Sequence, residues 1–365
     1  METNFDASAR YTVGVEEEFQ LVDPGTLGLA PAIDSLLAAR DTVGLPGDSL
    51  ASELFSSCLE VRSPVCSTLG ELAAELAALR RRARELAESC GVRLAAAGAH
   101  PFSEAVDQPL TGGERYRRVE EKMGWAARMQ AIYGLHVHVA VPDEERAILG
   151  VGALARYIPL FLALSANSPF WGGRDTRLAS VRIKVFDLFP RSGVPPAFSC
   201  WEDFERHVAV LTEAGSVPDY TWCWWDVRPH PRLGTVELRA PDAQTELDRT
   251  VSLAALARCI VATAGEHPPP ESPVLLQENK WRATRHGLDA RFYDFTAGRS
   301  IAAREAVREL VRRLRPVAQD LGCEEELAGV LEIVRDGSGS ERQRAVLKKR
   351  GSLEAVVEYL ISATA

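Results

Sequence analysis

The stretch Gly14-Val15-Glu16-Glu17-Glu18-Phe19-Gln20-Leu21-Val22-Asp23 sets three consecutive acids among residues that favour strands. Alternate side chains of a strand share a face, so Glu16 and Glu18 project together and Glu17 projects the other way. Two neighbouring carboxylates on one face repel, and burying them is costly unless a cation lies between them. The same alternation recurs in three further segments. Ser57-Cys58-Leu59-Glu60-Val61-Arg62 groups Cys58, Glu60 and Arg62 opposite Leu59 and Val61. Leu135 to Val141 groups His136 and His138, and Thr235-Val236-Glu237-Leu238-Arg239 groups Glu237 and Arg239. Several carboxylates with one imidazole suit hard divalent cations, two or more Mg²⁺ or Mn²⁺ ions, that keep water for a phosphate to replace. Zinc would favour a denser His/Cys set. An arginine beside such carboxylates can grip a phosphoryl group with two hydrogen bonds. On pattern alone, a solvated sheet face stays open as the alternative.

The elements that must carry these residues can be placed by periodicity. Strands are expected over Tyr11–Val22, Leu54–Val61, Val92–Ala97 and Leu135–Val141, and in a hairpin of Trp222–Asp226 and Gly234–Arg239 joined through Arg228-Pro229-His230-Pro231. Thr68-Leu69-Gly70-Glu71 offers a capping box. It opens a helix with Leu69, Leu72, Leu76, Leu79 and Leu86 on one side. Ile148 to Leu164 is very apolar but is interrupted by Arg156 and Pro159; it suits a buried helix, divided or kinked at the proline, rather than a membrane span. Residues 165–196 read as a largely irregular, lid-like region, and the chain after Ser300 as helices. Strands that alternate polar and apolar residues argue against a buried parallel sheet. The fold class expected is α+β: one antiparallel sheet with a polar, functional face and helices on the other. No long linker interrupts the chain, so residues 1–365 are read as one catalytic domain, with sheet motifs over about 11–290 and a helical part over about 300–365.

Bulk properties narrow the function. The formal net charge of −9 argues against a nucleic-acid binder. The basic runs Arg80-Arg81-Arg82, Arg312-Arg313 and Lys348-Lys349-Arg350 lie on helical segments and read as solvated faces. Seven scattered cysteines without a CxxC pair read as reduced thiols of a cytoplasmic protein, and Met1 to Arg10 is too polar for a signal peptide. No membrane partner is expected; self-association is left open. Neither GxxxxGK[ST], nor GxGxxG after a strand, nor GxSxG occurs. A nucleotide would therefore be held by metals and basic side chains.

These segments, read in order, resemble a known family. Gly14 to Asp23 resembles the opening motif of the carboxylate–amine ligases, the glutamate–cysteine ligase type 2 family. The resemblance continues through Leu59-Glu60-Val61-Arg62-Ser63-Pro64, Gly134 to Val139, Ala163 to Trp171, Phe189-Pro190-Arg191-Ser192-Gly193, Trp224 to Pro229, Thr235 to Arg239 and Glu278-Asn279-Lys280-Trp281-Arg282-Ala283. It implies a fold like the catalytic domain of glutamine synthetase, a curved antiparallel sheet with ATP and metals on its concave face. It also implies the reaction: a carboxylate, the γ-carboxylate of glutamate by default, attacks the γ-phosphate of ATP, and an amine such as cysteine displaces phosphate from the acyl phosphate. The metal role carries over to Glu16, Glu18, Glu60, His136 and Glu237. Arg239 resembles the arginine that meets the γ-phosphate; Lys280, Arg282 and Arg285 could reach phosphates or the acyl phosphate, with a solvated helix face as their alternative. Arg191, His138, Asn167 and Arg182 fall on the substrate side. Trp222, Trp224 and Trp225 read as packing. Ala140, Arg177 and Ile183 to Leu188 depart from the common pattern near the substrate region. A specialised amide ligase acting on another acid or amine, a phosphotransferase on the same scaffold, and a binding protein without turnover therefore stand as alternatives.

Overall fold

The structure is a computed structural model that describes residues 1–6, 11–46, 48–268 and 271–364; part of the polar N-terminal stretch, residues 7–10, lies outside them. The strands in chain order are β1 (Val13–Val22), β2 (Leu50–Ser52), β3 (Cys58–Arg62), β4 (Arg93–Ala95), β5 (Leu135–Ala140), β6 (Phe170–Trp171), β7 (Arg174–Asp175), β8 (Val227–His230), β9 (Thr235–Leu238), β10 (Arg291–Asp294) and β11 (Arg299–Ala302). The helices are α1 (Ile33–Ala39), α2 (Leu69–Ser89), α3 (Glu114–Met123), α4 (Trp125–Arg128), α5 (Glu144–Ser165), α6 (Arg182–Phe186), α7 (Trp201–Glu213), α8 (Leu247–Ala262), α9 (Pro273–His286), α10 (Ala303–Asp320), α11 (Glu324–Asp336), α12 (Gly339–Arg350) and α13 (Leu353–Ala363).

One antiparallel sheet runs in the order β2-β3-β1-β5-β9-β8, with β4 alongside the end of β1 at Gln20–Val22. The α+β class expected from alternation is what the chain adopts. Val13 and Val15 of β1, Leu135, Val137 and Val139 of β5, and Val236 and Leu238 of β9 form a core with Leu69, Leu72 and Leu76 of α2 and the buried faces of α5 and α8. Phe19, Leu21, Leu59 and Val61 meet Leu79 and Leu86 further along α2. The leucine stripe of α2 thus covers both ends of β1. Its N-terminus is capped by Thr68, whose hydroxyl accepts from Glu71 N; the Glu71 carboxylate accepts from Ser67 N, one residue earlier than a capping box requires.

Glu17 is the one acid on the core side of β1. It is 2 % exposed, and Arg80 of α2 reaches it with Nε at 2.9 Å and Nη2 at 2.6 Å. Thr250 of α8 donates to the same carboxylate at 2.7 Å. Arg80 is therefore no part of a solvated face. Helical spacing sets it in line with Leu76 and Ala83 on the buried stripe, and the pair ties both covering helices to the sheet.

Three boundaries differ from expectation. Helix α5 is continuous through Pro159; burial on both sides of the proline holds the helix where one backbone hydrogen bond is lost. It is long and apolar enough to span a membrane, and 83% of its most apolar window is buried inside the protein. The segment expected as a strand over Leu54–Val61 turns at Ser56-Ser57 and pairs back as β2 and β3, leaving Glu53 in the bend. The C-terminal hairpin starts five residues later than expected: Val227–His230 is its first strand, and the turn is Pro231–Leu233 with Gly234 at φ +63. Proline and left-handed glycine set that turn, and Arg228 moves from the loop onto the polar face.

Candidate active site

Register builds the polar face. Glu18 pairs with Glu60 and Glu16 with Arg62 across β1 and β3. On the other side of β1, Glu16 pairs with His136 and Gly14 with His138. His138 and Arg228 then flank Glu237 across β5, β9 and β8. Directly paired side chains in a sheet stand side by side, so the ladder concentrates acids and imidazoles from four strands. Three ligand groups result: Glu16, His138 and Glu237; Glu16, Glu60 and His136; Glu18, Glu53 and Glu60. Within each, one oxygen or nitrogen per residue lies within 4.8 Å of the others. Glu16 and Glu60 each belong to two groups, which makes the three a continuous row. Glu53 is absent from the sequence reading, because it reaches the row from the β2–β3 bend and no strand alternation announces it.

The charges of this row are unbalanced in a way that a cation corrects. Burial, with Glu16 and Glu53 beside it, pushes the Glu60 carboxyl well above its usual range. Burial also raises Glu18, and burial with Glu18 nearby raises Glu53. Glu16 behaves oppositely: burial works against its charge, yet the hydrogen bonds and charges of His136 and His138 hold it well below the usual range. Glu237 is held down against burial by Arg228, whose Nε lies 2.5 Å away, and by Arg239. Burial lowers His136 to about 4, so its ring is neutral and can be a ligand.

Orientation fits the same purpose. His138 Nδ1 meets Thr235 Oγ1 at 3.0 Å, while its Nε2 is buried without a hydrogen-bond partner, 3.7 Å from Glu16 Oε1. His136 Nδ1 meets Glu16 Oε2 at 3.0 Å, and its Nε2 lies 3.8 Å from Glu18 Oε1. Assigning each proton to Nδ1 turns both Nε2 lone pairs towards carboxylate oxygens. A metal-ligating histidine is commonly held this way through its other nitrogen. The donor set therefore fits divalent ions: carboxylates, the neutral His136, and His138, whose affinity for a proton is raised against burial by Glu16 and Glu237, so that a cation at its buried Nε2 would take a proton's place.

A cavity of about 110 Å³ adjoins the row. Glu18, Glu53 and His136 bound one side; Arg115, Arg182 and Arg239 bring cations, and Phe189, Trp222 and Trp224 form an aromatic wall. Trp222 and Trp224 thus face the site as well as pack, with ring centroids 5.4 Å apart. Trp225 is core, as expected. Arg182 is 3% exposed and donates to the carbonyls of Ala240 and Arg239.

Five expected site residues lie elsewhere. Lys280 is 1% exposed and locked between Asp226 at 2.9 Å and Asp187 at 3.0 Å; the Asp226 carbonyl in turn receives the Arg239 N–H. Its position supports the end of β9 rather than a phosphate. Arg282 faces outward, pairing with Glu278 at 2.9 Å and with the Arg291 carbonyl. Arg285 donates to the Arg177 carbonyl in a separate pocket shared with Arg344. The cause is common to all three: α9 packs along α5 on the helical side. Asn167 is fully engaged in the interior, donating to Ala243 O and Thr245 Oγ1 and accepting from Gln343 at 2.8 Å. Arg191, at φ +64, sits over the Trp224 ring and donates to Trp222 O. None of the five lines the cavity beside the acids.

Comparison with known proteins agrees with this geometry. The family model described as Glutamate-cysteine ligase family 2 (GCS2) matches residues 12–359. The chain is 65% identical over 365 residues, all of both chains, to a Rubrobacter xylanophilus protein named "Putative glutamate--cysteine ligase 2-3". A second protein of that organism, named in the same way as 2-1, is 50% identical over 97% of this chain and 95% of its own. Among solved structures, a glutamate–cysteine ligase from Francisella tularensis in complex with AMP superposes with a TM-score of 0.74 at 12% identity, covering 99% of this chain and 89% of that one. A bifunctional glutathione synthetase from Pasteurella multocida gives 0.66 at 13% identity over 97% of this chain and 52% of that one. At such identities these two structures speak for the fold.

Proposed function

The chain belongs to glutamate–cysteine ligase family 2 and is a ligase of the carboxylate–amine type, and we propose that it forms an amide through an acyl phosphate at the expense of ATP. The default substrates are glutamate, through its γ-carboxylate, and cysteine or another amine. The observation that carries this reading is the row of three overlapping carboxylate–imidazole groups on one sheet face with Arg239 at its edge. A carboxylate is a poor electrophile until it has a leaving group, and phosphoryl transfer between anions asks for charge neutralisation and alignment more than for a protein nucleophile.

Glu16, Glu18, Glu53, Glu60, His136, His138 and Glu237 would hold two or more Mg²⁺ or Mn²⁺ ions, which supply phosphate neutralisation and polarisation. His138, first placed on the substrate side, is better used as a ligand because its Nε2 has no other partner. Arg239 would meet the γ-phosphoryl group. Its backbone is fixed by Asp226 O, and its guanidinium is aligned by Glu237. The acid's carboxylate oxygen attacks the γ-phosphorus and ADP leaves; the amine nitrogen then attacks the acyl carbon, a proton is released, and phosphate leaves. Arg182 and the aromatic wall would exclude water from the acyl phosphate. We take residues 1–365 as one catalytic unit, because Gln343 of α12 and Thr364 bond directly to Asn167 and to Ala96 beside the sheet.

The test is incubation with ATP and Mg²⁺ against a matrix of acids and amines, reading ADP, AMP, phosphate and product mass. ADP and phosphate that depend on both an acid and an amine support the reading. AMP with pyrophosphate sinks the acyl-phosphate route, and a stable phosphorylated acceptor indicates a phosphotransferase. Arg239→Lys should lower kcat strongly, since lysine cannot reproduce a bidentate phosphate contact.

A further inference from the structure

The cavity beside the acids, of about 110 Å³, is partly open to solvent. An acyl phosphate formed there must be shielded from water, so one wall must be able to close. The sheet cannot, because the ladder of β1, β3, β5 and β9 fixes it. Helix α3 can. Its sequence Glu-Arg-Tyr-Arg-Arg-Val-Glu-Glu-Lys-Met buries Val119 alone. It hangs between Gly112-Gly113 and Gly124, with φ +125 at Gly113 and +55 at Gly124. Few tethers hold it to the body: Tyr116 OH donates to Ser52 O at 2.5 Å, Lys122 donates to Gly215 O at 3.1 Å and lies over the Trp222 ring, Glu120 pairs with Arg128 at 2.9 Å across the Gly124 joint, and Val119 and Met123 pack near Trp222 and Phe189. Helices with few buried contacts sit at the low-stability end of a fold, where ligand-gating elements are drawn from.

The same helix carries a cation into the cavity. Arg239 is paired with Glu237 and assigned to the phosphoryl group, and Arg182 donates to two backbone carbonyls; each keeps a buried Nε without a partner. Arg191 lies behind Trp224, donating to Trp222 O, and does not line the cavity. Arg115 lines the cavity and makes no direct hydrogen bond or ion pair among the described residues; the charge it faces is Glu53. An amino-acid acyl donor presents one carboxylate to the metals and keeps a second, unreacting carboxylate at its far end. A planar guanidinium matches such a carboxylate through two parallel hydrogen bonds.

We propose that Arg115 binds the unreacting carboxylate of the acyl donor and that α3 closes over the donor about its two glycine joints. The inference rests on the ligase reading. Closure would couple recognition to water exclusion, since only a donor with that second carboxylate draws the helix down.

The experiment compares wild type with Arg115→Ala and Arg115→Lys, using glutamate and 4-aminobutyrate, which keeps the reacting carboxylate and lacks the other. Arg115→Ala should raise KM for glutamate about tenfold or more, a loss typical of one charged contact. KM for ATP and turnover of 4-aminobutyrate should stay within about twofold of wild type. Arg115→Lys should recover part of the loss. Equal losses on both donors, or a rise in KM for ATP, overturn the proposal. Hydrogen exchange over residues 113–123 should slow when glutamate is added, and unchanged exchange overturns the closure. Should wild type form no amide with any pair, the ligase reading fails by itself; calorimetric binding of glutamate without ATP then decides on Arg115, supporting it when the Ala variant loses that binding and overturning it when wild type shows none or the variant keeps it.

Discussion

Arg80 grips Glu17 from behind the sheet at 2.6 and 2.9 Å, while the neighbours of Glu17 on either side in sequence face the opposite way into the acidic row. Three consecutive glutamates thus serve two purposes. Glu17→Gln leaves the Arg80 charge buried and unpaired, and breaking such a pair costs about 3–5 kcal/mol. Denaturant unfolding should show this loss without metal present. The folded fraction should still bind Mn²⁺ with wild-type affinity, measured by titration.

Glu18→Gln should do the reverse. Burial already pushes the Glu18 carboxyl towards its neutral form, so an amide costs the metal-free protein little. Turnover should fall to background, and the rise in Tm on adding Mn²⁺ should shrink, because the ligand stabilises only what it binds. Glu53→Gln should resemble Glu18→Gln, since both belong to the same ligand group. A Glu53 variant with unaltered Mn²⁺ dependence would show that the bend is a bystander.

Lys280 separates a structural role from a phosphate contact. Lys280→Met strips the cation from Asp226 and Asp187, and Asp226 is fully buried. The expected outcome is a stability loss of about 3–5 kcal/mol. KM for ATP should be unchanged in protein that remains folded at low temperature. A raised KM for ATP with normal stability would return Lys280 to the active site.

His100 sets an acid limit far from the metals. Its Nδ1 accepts from Phe102 N and Ser103 N, and its Nε2 lies 3.0 Å from Leu27 O. Burial lowers it from the ordinary 6.5 to about 4. Between those values the unfolded chain takes up a proton that the folded one refuses, so stability is full above about pH 6.5 and falls as pH drops towards 4. The group's share is about 3 kcal/mol. In His100→Gln, stability measured by denaturation should lose this slope, so that its difference from wild type narrows as pH falls.

Much of this was legible in the chain, and the reason is the period of two. Alternation around Glu16, Glu60, His136 and Glu237 requires only that each segment be a strand, and antiparallel pairing then aligns them. Glu53 and Arg115 were not legible, because one sits in a bend and the other on a helix, where neither alternation nor spacing ties them to the sheet. Lys280, Arg282 and Arg285 lie outside the cavity beside the acids for the converse reason: positive charge on α9 says nothing about which side of the sheet that helix covers. Arg80 departs from expectation because a charge run suggests a surface, whereas its helical phase matches the leucine stripe.

The alternation of Glu16, Glu17 and Glu18 also bears on how β1 finds its place. A slip of one residue relative to β3 and β5 would turn every side chain of β1 over. One of Glu16 and Glu18 would then take the place of Glu17 at Arg80, the other would press unpaired against the leucines of α2, and Val15 or Phe19 would enter the acidic row beside Glu17. Each misplacement is costly on its own, and they occur together. The residues that mark the site therefore also act as an alignment key for the central strand, because a slipped β1 breaks up the acidic row and buries an unpaired carboxylate at once.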